Sequence, residues 1–264
     1  MKISGATLIK NAIKLDYPII ESVNSLFPHV DEYVINLGDS EDNTNELVRS
    51  WYGGFDNVKM FDSKWEGKEQ GMTFFRNQTN KALDACTGDW IFYLQADEAI
   101  HDDDAKRMRA IVEEADKNGF DAIAFNFLHF EKNYNKTKKT YSEGFDAYEK
   151  EIRLIKNNKQ IRSVGDAMSF GGVTKVYMSD MNIFHYGYVK DPKTMLEKKL
   201  YLKEFYFNDP SFTEDQKVIE NGKIRSVGDQ YKFSRNLNDF TGTHPMSMRA
   251  RIESFNQRNP ELLT

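Results

Sequence analysis

The sequence predicts an α/β protein with a mostly parallel, Rossmann-like sheet flanked by helices. Strand-like and helix-like segments alternate through the first third of the chain. The helical segments are long enough to act as right-handed crossovers between parallel strands. The apolar run Trp90-Ile91-Phe92-Tyr93-Leu94 lies between Gly88-Asp89 and the polar Gln95-Ala96-Asp97-Glu98. That pattern marks a buried strand delivering acids to a sheet edge, where open α/β sheets bind ligands.

The elements follow in order. Ile3 to Ile9 reads as the first strand, and Asn11 to Leu26 as a helix on the apolar positions Ile13, Ile19, Ile20, Val23 and Leu26. Tyr33 to Leu37 is the second strand, Thr44 to Tyr52 a short helix ended by Gly53-Gly54, and Val58 to Phe61 the third strand. Met72 to Ala85 is a helix leading to the Trp90 strand. Asp102 to Lys117 is a helix whose first turn, Asp102-Asp103-Asp104, complements the helix dipole, a better account of the triplet than metal binding. Phe120 to Phe130 is a Phe-rich strand, and Lys132 to Thr140 a basic, Asn-rich loop or hairpin tip. Glu151 to Ile155 and Val173 to Tyr177 read as strands, and Pro192 to Phe207 as a helix. Residues 1–207 are therefore expected to form the main domain, with 208–264 an irregular extension packed on it. The hexapeptide Ile161 to Asp166 recurs at Ile224 to Asp229 without matching flanks, so it is not a repeat architecture.

Composition excludes several classes. The chain has 264 residues, with 19 Phe, 13 Tyr and 3 Trp, enough to build a core. A net charge of −5 with interspersed signs argues against nucleic acid as a partner. The single cysteine, Cys86, excludes an intrachain disulfide framework. No basic leader with an apolar core opens the sequence, and no apolar stretch has the length of a membrane span. The expected location is cytoplasmic, with peripheral membrane contact left open.

Chemistry concentrates at predicted strand ends. Asp39 follows the second strand within Gly38-Asp39-Ser40-Glu41-Asp42-Asn43-Thr44, a segment that also suits a turn and helix cap. Asp97 and Glu98 follow the fourth. A doubly wound sheet turns both groups toward one crevice.

These features, in this order, resemble a family 2 glycosyltransferase of the GT-A fold. The resemblance runs from about residue 3 to about residue 190. It is carried by the first strand with Lys10-Asn11, Asp31 to Ile35 leading into the turn Asp39 to Thr44, Arg76-Asn77, Thr87-Gly88-Asp89-Trp90, an Asp-x-Asp-Glu-like element, Glu151 to Leu154 and Ile183 to Gly187. It implies a nucleoside-diphosphate sugar donor, a divalent cation (Mn²⁺ or Mg²⁺) and a glycan, lipid-linked or other hydroxyl acceptor. In such enzymes Asp39 would contact the nucleotide base, Asp97 and His185 would bind the metal, and Arg76 would contact phosphate or hold the crevice by an ion pair. Gln95 stands where the family usually has Asp; its amide can still bond a ribose hydroxyl or a metal-bound water. An inverting transfer needs a general base, for which Asp166 is the candidate and Glu98 the second. A catalytically degenerate sugar- or nucleotide-binding protein shares these signals except a competent site. A nucleotidyltransferase shares the sheet, but Lys10-Asn11-Ala12-Ile13 is not a Gly-rich phosphate loop.

Overall fold

The computed structural model describes residues 1–65, 73–143, 147–203 and 237–263. Four strands, β1 (Ile3–Ile9), β2 (Glu32–Gly38), β3 (Val58–Ser63) and β4 (Trp90–Tyr93), lie parallel in the order β3-β2-β1-β4. Helices α1 (Ile19–Leu26), α2 (Thr44–Tyr52) and α3 (Thr73–Ala85) connect them. Every residue of β1 is buried, as expected of a strand covered on both faces. Ile3 and Ile9 join one core with Val23 and Leu26 of α1 and Val48 of α2. Ala6 and Leu8, pointing the other way, join a second core with Phe74 and Leu83 of α3.

Past β4 the chain forms β5 (Glu98–Ile100), α4 (Asp102–Lys117), β6 (Ala122–Glu131), β7 (Lys136–Lys138) and β8 (Lys150–Lys156). A separate hairpin follows, β9 (Arg162–Val164) and β10 (Ser169–Gly171), then the long β11 (Val176–Tyr188) and α5 (Pro192–Lys203). Strand β8 lies antiparallel between β4 and β6, β6 runs parallel to β11, and β5 is antiparallel to β11. The sheet is thus mixed, with its parallel block in the first half.

Three elements differ from expectation. The first helix begins at Ile19 rather than Asn11. Pro18 disfavours helical geometry at Tyr17, and Asn11 and Asp16 take left-handed φ of 56° and 50°. The intervening turn carries Tyr17 to the sheet edge. Strand β11 runs on to Tyr188, where only Val173 to Tyr177 was expected, through an irregularity between Met178 and Asn182. The basic segment after Phe130 supplies β7, which pairs with β6 and with β12 (Leu237–Asp239). The expected helical residues 204–207, the second hexapeptide copy and residues 208–236 of the extension lie outside the described residues.

The described C-terminal segment packs on the body. Met248, Phe255 of α6 (Arg249–Arg258) and Leu262 join Phe130, Tyr134, Phe184 and Tyr186 in a third, aromatic core. Asn133 Nδ2 donates to the Leu262 carbonyl at 2.6 Å, and Arg251 is ion-paired with Asp16. His244 bridges the Tyr186 hydroxyl and the Tyr134 carbonyl, at 2.8 and 2.9 Å. Burial lowers its pKa to about 4, and burial together with the nearby His185 charge lowers that of His129 to about 3. Unfolded histidines titrate near 6.5. Between these values the unfolded chain binds more protons than the folded one. Stability should therefore be complete above about pH 6.5 and fall as pH drops toward about 4. Denaturant titrations across that window should show the loss, and His244→Gln should make it shallower. Among the described residues, no helix is long and apolar enough to cross a membrane.

Candidate active site

A pocket of about 300 Å³ opens at the carboxyl ends of β1, β4, β6 and β11, walled by Lys10, Gln95, Asp97, Asp166, His185 and Lys198 among others. Strand order brings these residues together. Past β4 the chain turns sharply, the Glu98 amide donating to the Gln95 carbonyl at 3.0 Å, before β5 pairs with β11. Asp97 sits in that turn, and its carbonyl accepts from the Tyr186 amide at 2.8 Å.

The Asp97 carboxylate faces two cationic or ligating groups. His185 Nε2 and Lys198 Nζ each lie 3.6 Å from its Oδ2. Burial works against the Asp97 charge. His185, Lys198 and Lys190 outweigh it and hold the carboxyl well below the usual range. Burial lowers the Lys198 ammonium, which donates to the Gly187 carbonyl at 3.0 Å.

His129 sets the orientation of His185. The two lie opposite each other on parallel β6 and β11. His129 Nε2 is 2.9 Å from the Tyr148 carbonyl oxygen, which can only accept, so Nε2 carries a hydrogen. Its ring is buried and neutral, so its Nδ1 accepts from His185 Nδ1, 2.9 Å away. The remaining nitrogen of His185, Nε2, is thereby turned to Asp97. Deprotonated, it offers a lone pair beside the carboxylate, and metal-ligating histidines are commonly held this way through their second nitrogen.

The donor set fits a divalent cation. One carboxylate oxygen and one imidazole nitrogen 3.6 Å apart can share an ion whose ligands lie at about 2.1 Å. Gly187 keeps the space beside them open: a Cβ there would lie 2.7 Å from both Asp97 Oδ2 and His185 Nε2. Among the described residues no group of three or more His, Cys, Asp or Glu gathers at one point. The remaining ligands would have to come from substrate and water.

The other residues expected at the site divide. Asp166 lines the pocket from the hairpin tip between β9 and β10. Gln95 lines it too, but its Nε2 donates to the Ala167 carbonyl at 3.1 Å. Glu98, the second candidate base, does not reach the pocket. It is fully buried, its two oxygens accepting from Arg153 Nε and Nη2 at 2.8 and 2.7 Å. Asp39 is exposed and is not among the pocket's lining residues. Its Oδ1 accepts from Lys10 Nζ at 2.8 Å and from the Trp65 amide at 3.0 Å, so it orders two lining residues. Although burial opposes its charge, these bonds lower the Asp39 pKa. Arg76 is half-buried on α3 and is not among the pocket's lining residues.

His129, Arg153, Gly187 and Lys198 stand at or beside the site without having been expected there. His129 had a readable signal: it continues the buried face of Ile123, Phe125 and Phe127 to the strand's carboxyl end. Arg153 and Lys198 had none, because the carboxylates they meet, Glu98 and Asp97, are distant in sequence, whereas Gly187 lies two residues from His185.

A glycosyl transferase family 2 model matches residues 10–178. The chain belongs to glycosyl transferase family 2. Its sheet is the Rossmann-like GT-A type expected from the resemblance, and the protein is a glycosyltransferase. Similar solved structures include residues 1–349 of S. aureus TarS, at 15% identity over 83% of this chain and 69% of that one, TM-score 0.43. TarS 1–349 in complex with UDP-GlcNAc matches at 14% identity over 84% and 71%, TM-score 0.46. No curated protein matches the chain.

Proposed function

We propose that this glycosyltransferase moves a hexosyl group from a nucleoside-diphosphate sugar to a hydroxyl acceptor, with inversion at the anomeric carbon. The observation that supports this reading is the convergence of Asp97, His185, Lys198 and Asp166 on one pocket at the sheet's carboxyl edge. Asp97 and His185 would hold Mn²⁺ or Mg²⁺ together with the donor diphosphate. When bound, the cation stabilises negative charge on the leaving nucleoside diphosphate. Lys198 adds a positive charge at the same place. Lys10 and Trp65, ordered by Asp39, frame the side of the pocket where the nucleotide would lie. Asp166 takes the proton from the acceptor hydroxyl. The acceptor oxygen then bonds the anomeric carbon on the face opposite the diphosphate, whose oxygen departs with the electron pair of the broken bond.

Turnover of UDP-, GDP- and TDP-sugars in Mn²⁺, followed by nucleotide release, tests the reading. Hydrolysis or transfer of at least one donor is expected. No binding and no turnover across the panel would leave a degenerate sugar- or nucleotide-binding protein as the better reading. Gly187→Ala probes the cation cradle separately. The added methyl pushes into Asp97 and His185, so Mn²⁺-dependent nucleotide affinity should fall at least about tenfold, and overpacking should lower the melting temperature as well. Calorimetric titration with and without Mn²⁺ would read this, and unchanged affinity would disconnect the gap from cation binding.

A further inference from the structure

We infer that Gln95 is a positioning residue for Asp166, holding the β9–β10 hairpin tip so that its carboxylate faces the pocket. The inference rests on Asp166 acting as the general base.

The tip consists of the residues between Val164 and Ser169, which pair across the hairpin. It is a conformation that needs support. Gly165 and Ala167 have φ of 60° and 71°, and a non-glycine residue in the left-handed region is held there only when its surroundings impose it. Two donors from the body impose it. Gln95 Nε2 bonds the Ala167 carbonyl at 3.1 Å, and Arg153 Nη1 bonds the Met168 carbonyl at 2.7 Å. Asp166 is the residue immediately before these two anchored carbonyls.

The donors belong to one network. Glu98 Oε2 accepts both Arg153 Nε, at 2.8 Å, and the Gln95 backbone amide, at 3.0 Å. The segment that presents Asp97 and the hairpin that presents Asp166 are therefore tied through Glu98, Arg153 and Gln95. This gives a physical reason for an amide at position 95. A carboxylate has only acceptors and would face the Ala167 carbonyl oxygen with like partial charge. An Asp at this position would also be too short by one methylene to make the same reach.

The test combines hydrogen–deuterium exchange with a mutant cycle. Gln95→Met keeps the length of the side chain and removes the donor. Amides of residues 165–168 should exchange about tenfold faster in the variant; unchanged exchange would overturn the inference. Gln95→Glu gives the same comparison if the methionine variant does not fold. In turnover, Gln95→Met should lower kcat by about 10- to 100-fold and leave donor KM near the wild-type value. In an Asp166→Asn background it should cause no further loss, because a residue acting through Asp166 has nothing left to position. An equal loss in both backgrounds would mean that Gln95 acts on the donor itself and would overturn the inference. If Asp166→Asn leaves turnover intact, the base assignment fails, while the exchange measurement still decides whether Gln95 holds the tip.

Discussion

Asp97→Asn should reduce nucleotide-sugar turnover by about 100-fold or more and abolish the Mn²⁺-dependent part of nucleotide binding. The side chain keeps its shape, so the loss isolates its charge. Asp97 is buried, and the groups facing it, His185, Lys198 and Lys190, hold it ionised. A neutral amide attracts a cation weakly, and it leaves Lys198 without its counter-ion and Lys190 with Asp16 alone. Burial already lowers both lysines, Lys190 to about 7, and the variant should push them lower still. Steady-state turnover and calorimetry on the same preparation separate the two effects. Wild-type turnover in Asp97→Asn would remove Asp97 from the chemistry.

The largest effect on stability is expected from Arg153→Met. Arg153 and Glu98 are both fully buried and meet in a two-pronged ion pair. Removing the guanidinium strands a carboxylate in the core and frees the Met168 and Ile152 carbonyls to which it also donates. Breaking one side of such a pair costs about 3–5 kcal/mol, about 6–20 °C in melting temperature for a chain of this size. Replacing both members, Glu98→Leu with Arg153→Met, should recover part of the loss, since no buried charge is then unpaired. Scanning calorimetry on the single and double variants checks the order. A double variant less stable than Arg153→Met would mean that the Glu98 contact with the Gln95 amide outweighs the stranded charge.

Much of the fold was legible because its parallel block obeys local rules. The strand β1 and the helix α2 have the bounds their residues suggest: β1 ends in Leu8-Ile9 before the polar Lys10-Asn11, and Gly53-Gly54 stops α2. The first helix starts later than its apolar spacing suggests because Pro18 delays it to Ile19, and β11 runs past the point where Ser179-Asp180 interrupts its apolar pattern. Asp97, His185 and Asp166, which the structure brings to one pocket, each lie in a recognisable stretch. The roles of Glu98 and Gln95 could not be read the same way. Both depend on partners more than fifty residues away, Arg153 and Ala167, and pairings at that range come from strand order, which short-range patterns do not specify. An acid next to Asp97 looked like chemistry and is a core ion pair. An amide that looked like a weakened acid is a donor in use.

The most direct test of the cation site is a crystal structure of the protein soaked with UDP and Mn²⁺, read by the anomalous signal of manganese. One manganese peak is expected between Asp97 Oδ2 and His185 Nε2, at about 2.2 Å from each and in contact with the diphosphate. UDP bound in the pocket with no manganese at that position, its diphosphate neutralised by Lys198 alone, would contradict a cation site there.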